Sequence, residues 1–327
     1  MELVLWSGIF VAALAVMIGG AELFLKRAEI IGAQIGLPSF VIGVLIVGFG
    51  TSLPELISSL LAVMSDTPTI VTANAIGSNI ANILLIGGVL AFFARRITID
   101  RDLLEAELPF FVISTTLFAE VAFDGVITTI ESGLLLCTFF VYIFYLFKED
   151  YESGQVVEEI EHEVRHERFR LFGRAETAHG LLLIVGLLGL VVGAKFVIDA
   201  VLALATLLSV PPGAITITAI ALGTSLPEMV VSAKALQHGK LSMAVGNIFG
   251  SNAFNITLAV GVPGLLSMLP LDEPTFVIGL PVLLASSFIF LVIGLAHRLH
   301  RWEGIMFFIL YGFFLMQLLT QCCNVSL

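Results

Sequence analysis

Gly50-Thr51-Ser52-Leu53-Pro54-Glu55 is written a second time as Gly223-Thr224-Ser225-Leu226-Pro227-Glu228, 173 residues later. The same offset carries Gly77-Ser78-Asn79-Ile80-Ala81-Asn82-Ile83 onto Gly250-Ser251-Asn252-Ala253-Phe254-Asn255-Ile256. It also carries Asn74 onto Asn247 and Pro38 onto Pro211. One spacing shared by several separate motifs means a duplicated half with no net insertion between them. Each copy places a carboxylate, Glu55 or Glu228, in an otherwise apolar segment.

The chain around these motifs has 327 residues, 58% hydrophobic and 13% charged, whereas a soluble domain carries about 25% charged residues. It divides into ten apolar runs of roughly membrane-spanning length, at 3–24, 37–64, 70–94, 104–123, 127–147, 177–200, 212–236, 241–266, 275–296 and 303–321. The runs are continuously apolar, which excludes the alternating strands of a membrane β-barrel. The first run lacks a basic leader and a small-residue cleavage site, so it reads as a retained span. Cys137, Cys322 and Cys323 make no disulfide framework. The net charge of -11 does not indicate an acidic-surface partner, because several acids lie in or beside the spans. No nucleic-acid partner is expected.

Lys and Arg segregate to one side of this arrangement. Lys26 and Arg27 fall between spans 1 and 2, Arg95, Arg96 and Arg101 between 3 and 4, and Lys148, Arg165, Arg168, Arg170 and Arg174 between 5 and 6. Lys234 and Lys240 follow at 7–8, and Arg298 and Arg301 at 9–10. Lys195, near the end of span 6, lies outside the set. The positive-inside rule then places both termini outside and the 149–176 loop in the cytoplasm. Five spans per half is an odd number, so the second half enters the membrane upside down. The expected architecture is an all-α membrane protein of ten transmembrane helices in two inverted five-helix repeats, residues 1–148 and 177–327. Glu22 and Lys195 occupy matched positions; a charge near a helix end usually snorkels to the interface, the other reading being a pairing that changes with conformation.

Within the 149–176 loop, His162-Glu163-Val164-Arg165-His166 fits the zinc-protease pattern H-E-x-x-H. Its surroundings are charged rather than dry, and Phe169 stands where the extended form of the motif has glycine. The stretch reads as a charged amphipathic helix with i, i+4 pairs. Asn324-Val325-Ser326 fits a glycosylation sequon but abuts the last span.

In span 2, Pro54 removes one amide donor and is expected to kink the helix and free the Gly50 carbonyl. In lipid such a carbonyl needs a partner or a cavity. Thr51 and Glu55 face one way at i, i+4, with Ser52 beside them. In span 3, Asn74, Ser78 and Asn82 form a polar stripe. Spans 7 and 8 repeat the set with Thr224, Ser225, Glu228, Asn247, Ser251 and Asn255. If the copies meet at mid-membrane they form an all-oxygen cage with two carboxylates, the chemistry of a calcium or sodium site. The set contains no His, Cys or Met, which argues against zinc or copper. Small polar residues also glue membrane helices together, and for Asn74 and Asn247 that role is expected. It does not account for two carboxylates at equivalent points of an inverted repeat, where each costs roughly 2.5 kcal/mol or more.

These motifs resemble the two α-repeats of the cation/calcium exchanger superfamily, in its prokaryotic sodium/calcium exchanger branch. The resemblance covers essentially the whole chain; the proton-coupled branch has a G-N-A-x-E pattern that is absent here. It implies that Glu55 and Glu228 are central calcium ligands. Thr51, Ser52, Ser78 and Asn82 complete the sites from one half, and Thr224, Ser225, Ser251 and Asn255 from the other. The carbonyls of Gly48 and Ala221 are implied as backbone ligands. The potassium-dependent branch carries Asp where Asn255 stands, so this chain is expected to be potassium-independent. Helices 1 and 6, with Gly19-Gly20 and Gly193, resemble the family's sliding gate pair.

The resulting expectation is a secondary active transporter, not an enzyme, in the cell inner (plasma) membrane. It exchanges calcium for sodium by alternating access, with net charge moved at three sodium per calcium and no cofactor. One copy in the lipid bilayer suffices. Alternatives are a proton/calcium antiporter on the same scaffold, a membrane metalloprotease resting on His162 and His166, and a channel.

Overall fold

The computed structural model describes residues 2–37, 39–94, 96–98, 101–152, 175–207, 225–296 and 298–324. The helices are α1 Glu2–Gln34, α2 Ser39–Met64, α3 Thr69–Phe93, α4 Arg101–Val121, α5 Thr129–Glu152 and α6 Ala175–Leu207. They continue with α7 Leu226–Gln237, α8 Leu241–Gly264, α9 Thr275–Leu295 and α10 Arg301–Asn324. Among the described residues, seven of these are long and apolar enough to cross a membrane. Of the other three, α4 has a shorter apolar part at Leu108–Val121, α8 carries a stripe of Asn and Ser, and α7 is described only from Leu226. The protein is an all-α membrane protein of ten helices in two inverted five-helix repeats.

The duplication persists in three dimensions. The bounds of α6 are those of α1 moved by 173 residues, and α7 repeats the second segment of α2, Leu53–Met64, at that offset. Helix α1 continues past the expected end of its span through Lys26, Arg27 and Glu29 to Gln34. A helix of 33 residues is about 50 Å long, against a hydrocarbon core of about 30 Å, so it is long enough for its charged C-terminal end to stand clear of the lipid tails.

Two antiparallel ribbons, not foreseen from the sequence, tie the connections together. Strand β1 (Arg96–Thr98) pairs with β4 (Arg298–His300), and β2 (Val126–Ile127) pairs with β3 (Leu269–Pro270). The first ribbon joins connections α3–α4 and α9–α10, which must therefore share a side. The second joins α4–α5 and α8–α9 on the other. Ten alternating crossings place the connections in those same two groups.

Helices α2, α3, α7 and α8 form the centre. Nearly all of α8 from Met243 to Gly264 is buried, because glycines let the backbone of α2 close on it. A Cβ on Gly48 would sit 3.0 Å from the Gly250 Cα, and one on Gly250 would run into the Val44 backbone. Helices α1 and α6 pack along one another outside this centre. A Cβ on Gly193 would lie 2.6 Å from the Met17 amide nitrogen, while Leu3, Val11, Leu181, Leu188 and Phe196 point outward, as lipid-facing side chains do. Towards its C-terminal end α1 is held by ion pairs from Glu22 to Lys234 at 3.3 Å and from Glu29 to Lys240. Arg27 meets the His179 ring of α6 at 2.8 Å. Glu22 thus pairs with α7 rather than with the matched Lys195, which is exposed.

Candidate cation-binding site

Helix α2 does not kink at Pro54. A π-helical stretch, Ile42–Gly48, is followed by one short turn, and the helix breaks at Ser52 (φ -89°, ψ 3°). Pro54 then sits in the first turn of the new segment, where a missing amide hydrogen costs nothing. Ser225 has the same backbone conformation, φ -90°, ψ 3°, at the start of α7, with Pro227 likewise in the first turn. The carbonyl gathered into the site is accordingly that of Gly48 rather than Gly50: it accepts from the Thr51 hydroxyl at 3.3 Å and the Ser251 hydroxyl at 3.2 Å.

Glu55 and Glu228 each lie in the first turn of a helix segment, where the helix dipole favours negative charge. Glu55 and Glu228 are each 1% exposed. Ser52 donates to Glu228 Oε1 at 3.0 Å across the repeat boundary. Thr51 donates to Asn247 Oδ1 at 3.4 Å. Asn247 in turn donates to the Ser232 hydroxyl at 2.8 Å and the Glu228 carbonyl at 3.3 Å, and Asn74 reaches Ser58 at 3.5 Å. The helix-joining role expected of Asn74 and Asn247 fits these bonds.

Several other polar atoms are buried without a partner among the described residues: both carboxylate oxygens of Glu55, Oε2 of Glu228, the Ser225 hydroxyl, Oδ1 of Asn82 and Oδ1 of Asn255. A native interior leaves few such groups, because each costs about 1–3 kcal/mol. Six hard oxygens with two carboxylates among them suit a cation with six to eight oxygen ligands. Among the described residues no three His, Cys, Asp or Glu gather, so charge comes from the two glutamates alone and neutral oxygens do the rest. Ser78 is buried beside this set. Thr224 and Ala221 lie outside the described residues, as do His162 and His166.

Sequence reasoning passed over Asn79 and Asn252, 1% and 0% exposed. Asn79 Nδ2 donates to the Asn252 carbonyl at 3.1 Å, and Asn82 Nδ2 donates to Asn252 Oδ1 at 3.3 Å. The signal was present, since both belong to the repeated Gly-Ser-Asn motif, but they fall off the 74/78/82 stripe.

Fold and site together define a multi-pass membrane transporter with buried glutamates, serines and asparagines where its two inverted repeats meet. The profile of the family described as "Sodium/calcium exchanger protein" matches residues 5–148 and 179–320. The sodium/calcium exchanger MaX1 of Methanosarcina acetivorans is 32% identical over 95% of this chain and 97% of its own. The inner membrane protein YrbG of Escherichia coli is 31% identical over 88% of each. The solved structure of a sodium/calcium exchanger from Methanococcus jannaschii superposes with a TM-score of 0.80 at 30% identity, covering 95% of this chain and 97% of that one. The chain belongs to the sodium/calcium exchanger family.

Proposed function

We propose that this protein exchanges sodium for calcium across the inner membrane by alternating access, with Glu55 and Glu228 as the ligands both ions share. The observation that carries the reading is the pair of buried carboxylates from opposite repeats, of which both Glu55 oxygens and Glu228 Oε2 have no donor among the described residues. Two uncompensated negative charges cannot cross a low-dielectric barrier, and a bound cation removes that penalty. The carrier therefore changes sides loaded with calcium or with sodium and stays put when empty, so coupling follows from the site's electrostatics.

Thr51, Ser52, Ser78 and Asn82 from the first half, with Thr224, Ser225, Ser251 and Asn255 from the second, complete the calcium and sodium positions. Asn255 is neutral, which favours potassium-independent exchange. Three sodium per calcium makes the cycle electrogenic. The halves 1–148 and 177–327 act as the inverted repeats, both termini lie outside, and the 149–176 loop is cytoplasmic.

The test is sodium-gradient-driven calcium uptake into proteoliposomes. Glu55→Gln and Glu228→Gln are each expected to reduce uptake at least 100-fold while purifying as monodisperse protein. Normal uptake by either variant refutes the site. Uptake driven by a pH gradient without sodium would instead identify a proton/calcium antiporter.

A further inference from the structure

The two repeats place Asn79 and Asn252 in contact with each other although they are the same residue of the duplicated motif. Two equivalent residues can touch only at the axis relating the halves. Strict symmetry would then give every hydrogen bond there a twin. The twin of Asn82 Nδ2 to Asn252 Oδ1 is Asn255 Nδ2 to Asn79 Oδ1, and the twin of Asn79 Nδ2 to the Asn252 carbonyl starts from Asn252 Nδ2. Neither twin is made: Asn255 Nδ2, Asn79 Oδ1 and Asn252 Nδ2 are all buried without a partner. The serines follow the same pattern. Ser52 donates to Glu228, while Ser225 and both oxygens of Glu55 have no bond. One half of a two-fold set is formed and the other half is open.

The formed half has a consequence for the cation. An asparagine amide presents its nitrogen and its oxygen in opposite directions. With Asn82 Nδ2 held by Asn252 Oδ1 at 3.3 Å, Asn82 Oδ1 is turned away from Asn252 and stays free, buried among the groups proposed to hold the ion. We propose that Asn79 and Asn252 are positioning residues that orient the cation ligands of the opposite repeat. Asn252 aims Asn82 in the conformation seen here, and Asn79 aims Asn255 in its mirror conformation. Neither touches the ion, and exchanging one bond set for the other hands the ligand role between repeats as the carrier changes sides. This rests on the proposed calcium site.

Calcium titration calorimetry on the purified full chain, beside flux, tests it without reference to the counter-ion. Losing the outer partner of a metal ligand typically weakens binding 10- to 100-fold. Asn252→Leu is expected to weaken calcium binding about 10-fold and raise the flux half-saturation alike, with maximal rate within two-fold of wild type. In the Asn82→Ala background the same change should add less than two-fold, because the oxygen it aims is gone. Asn79→Leu paired with Asn255→Ala should behave likewise. Asn252→Ala and Asn79→Ala replace the leucine variants if these do not purify as folded protein. Full additivity in either cycle, or a lost maximal rate with unchanged calcium affinity, overturns the proposal. A wild-type protein that binds no calcium overturns the site itself instead.

Discussion

At the scale of single residues, the site is defined by what its oxygens lack. Glu228 accepts from Ser52, while Glu55 accepts from no side chain among the described residues, although the two are equivalent in sequence. The repeated motifs identified both glutamates and the serines, threonines and asparagines beside them, because an intramembrane carboxylate is rare enough to be informative alone. They could not show which hydroxyl pairs with which carboxylate, since a duplicated sequence is symmetric and this molecule is not. Asn79 and Asn252 were missed for a related reason: a contact on the axis is invisible to a reading made one helix at a time. Asn255 bears on specificity. Asn255→Asp adds a third carboxylate to the cage and is expected to raise affinity for monovalent cations several-fold and introduce potassium dependence. Flux measured with and without potassium checks this, and unchanged ion dependence argues that position 255 is not a ligand.

At the scale of helices, apolar runs and their approximate ends were legible, but the irregular backbone was not. The π-helical stretches Ile42–Gly48 and Ala81–Ile86 have no reliable local signal; they arise where a helix adjusts to neighbours and often mark functional sites. The two short ribbons depend on connections that meet only once the bundle is assembled. Pro54 was legible as a disruption, yet the backbone relieves it by breaking at Ser52 instead of bending. Helices α1 and α6 are joined by glycine-mediated contact and by Arg27 to His179, whereas Glu22 and Glu29 link α1 to the C-terminal end of α7 and to Lys240 just beyond it. If α1 and α6 slide as one unit over the centre, bridging Arg27→Cys and His179→Cys with a bis-methanethiosulfonate reagent long enough to replace the two side chains leaves flux within about two-fold of wild type. The same bridge between Glu29→Cys and Lys240→Cys stops flux, and reduction restores it. Bridged and reduced proteoliposomes compared side by side give the answer, and equal effects of the two cross-links contradict the sliding unit.

At the scale of the whole molecule, an odd number of helices per half inverts the second repeat, and Ser52 of one repeat reaches Glu228 of the other. The segregation of Lys and Arg and the pairing of the ribbons assign the connections to the same two sides independently. If three sodium exchange for each calcium, as proposed, each cycle moves one net positive charge, worth about 2.3 kcal/mol per 100 mV. An inside-negative potential is therefore expected to accelerate calcium exit coupled to sodium entry and to slow the reverse, and potentials clamped with valinomycin and potassium measure the bias. The central claim, that paired carboxylates forbid movement of the empty carrier, has a more direct test. Proteoliposomes loaded with radioactive calcium are diluted into medium holding neither sodium nor calcium, and then into medium holding either ion. The account predicts negligible release in the first and rapid release in the second, with Glu55→Gln and Glu228→Gln inactive in both; equal release in the two media would contradict it.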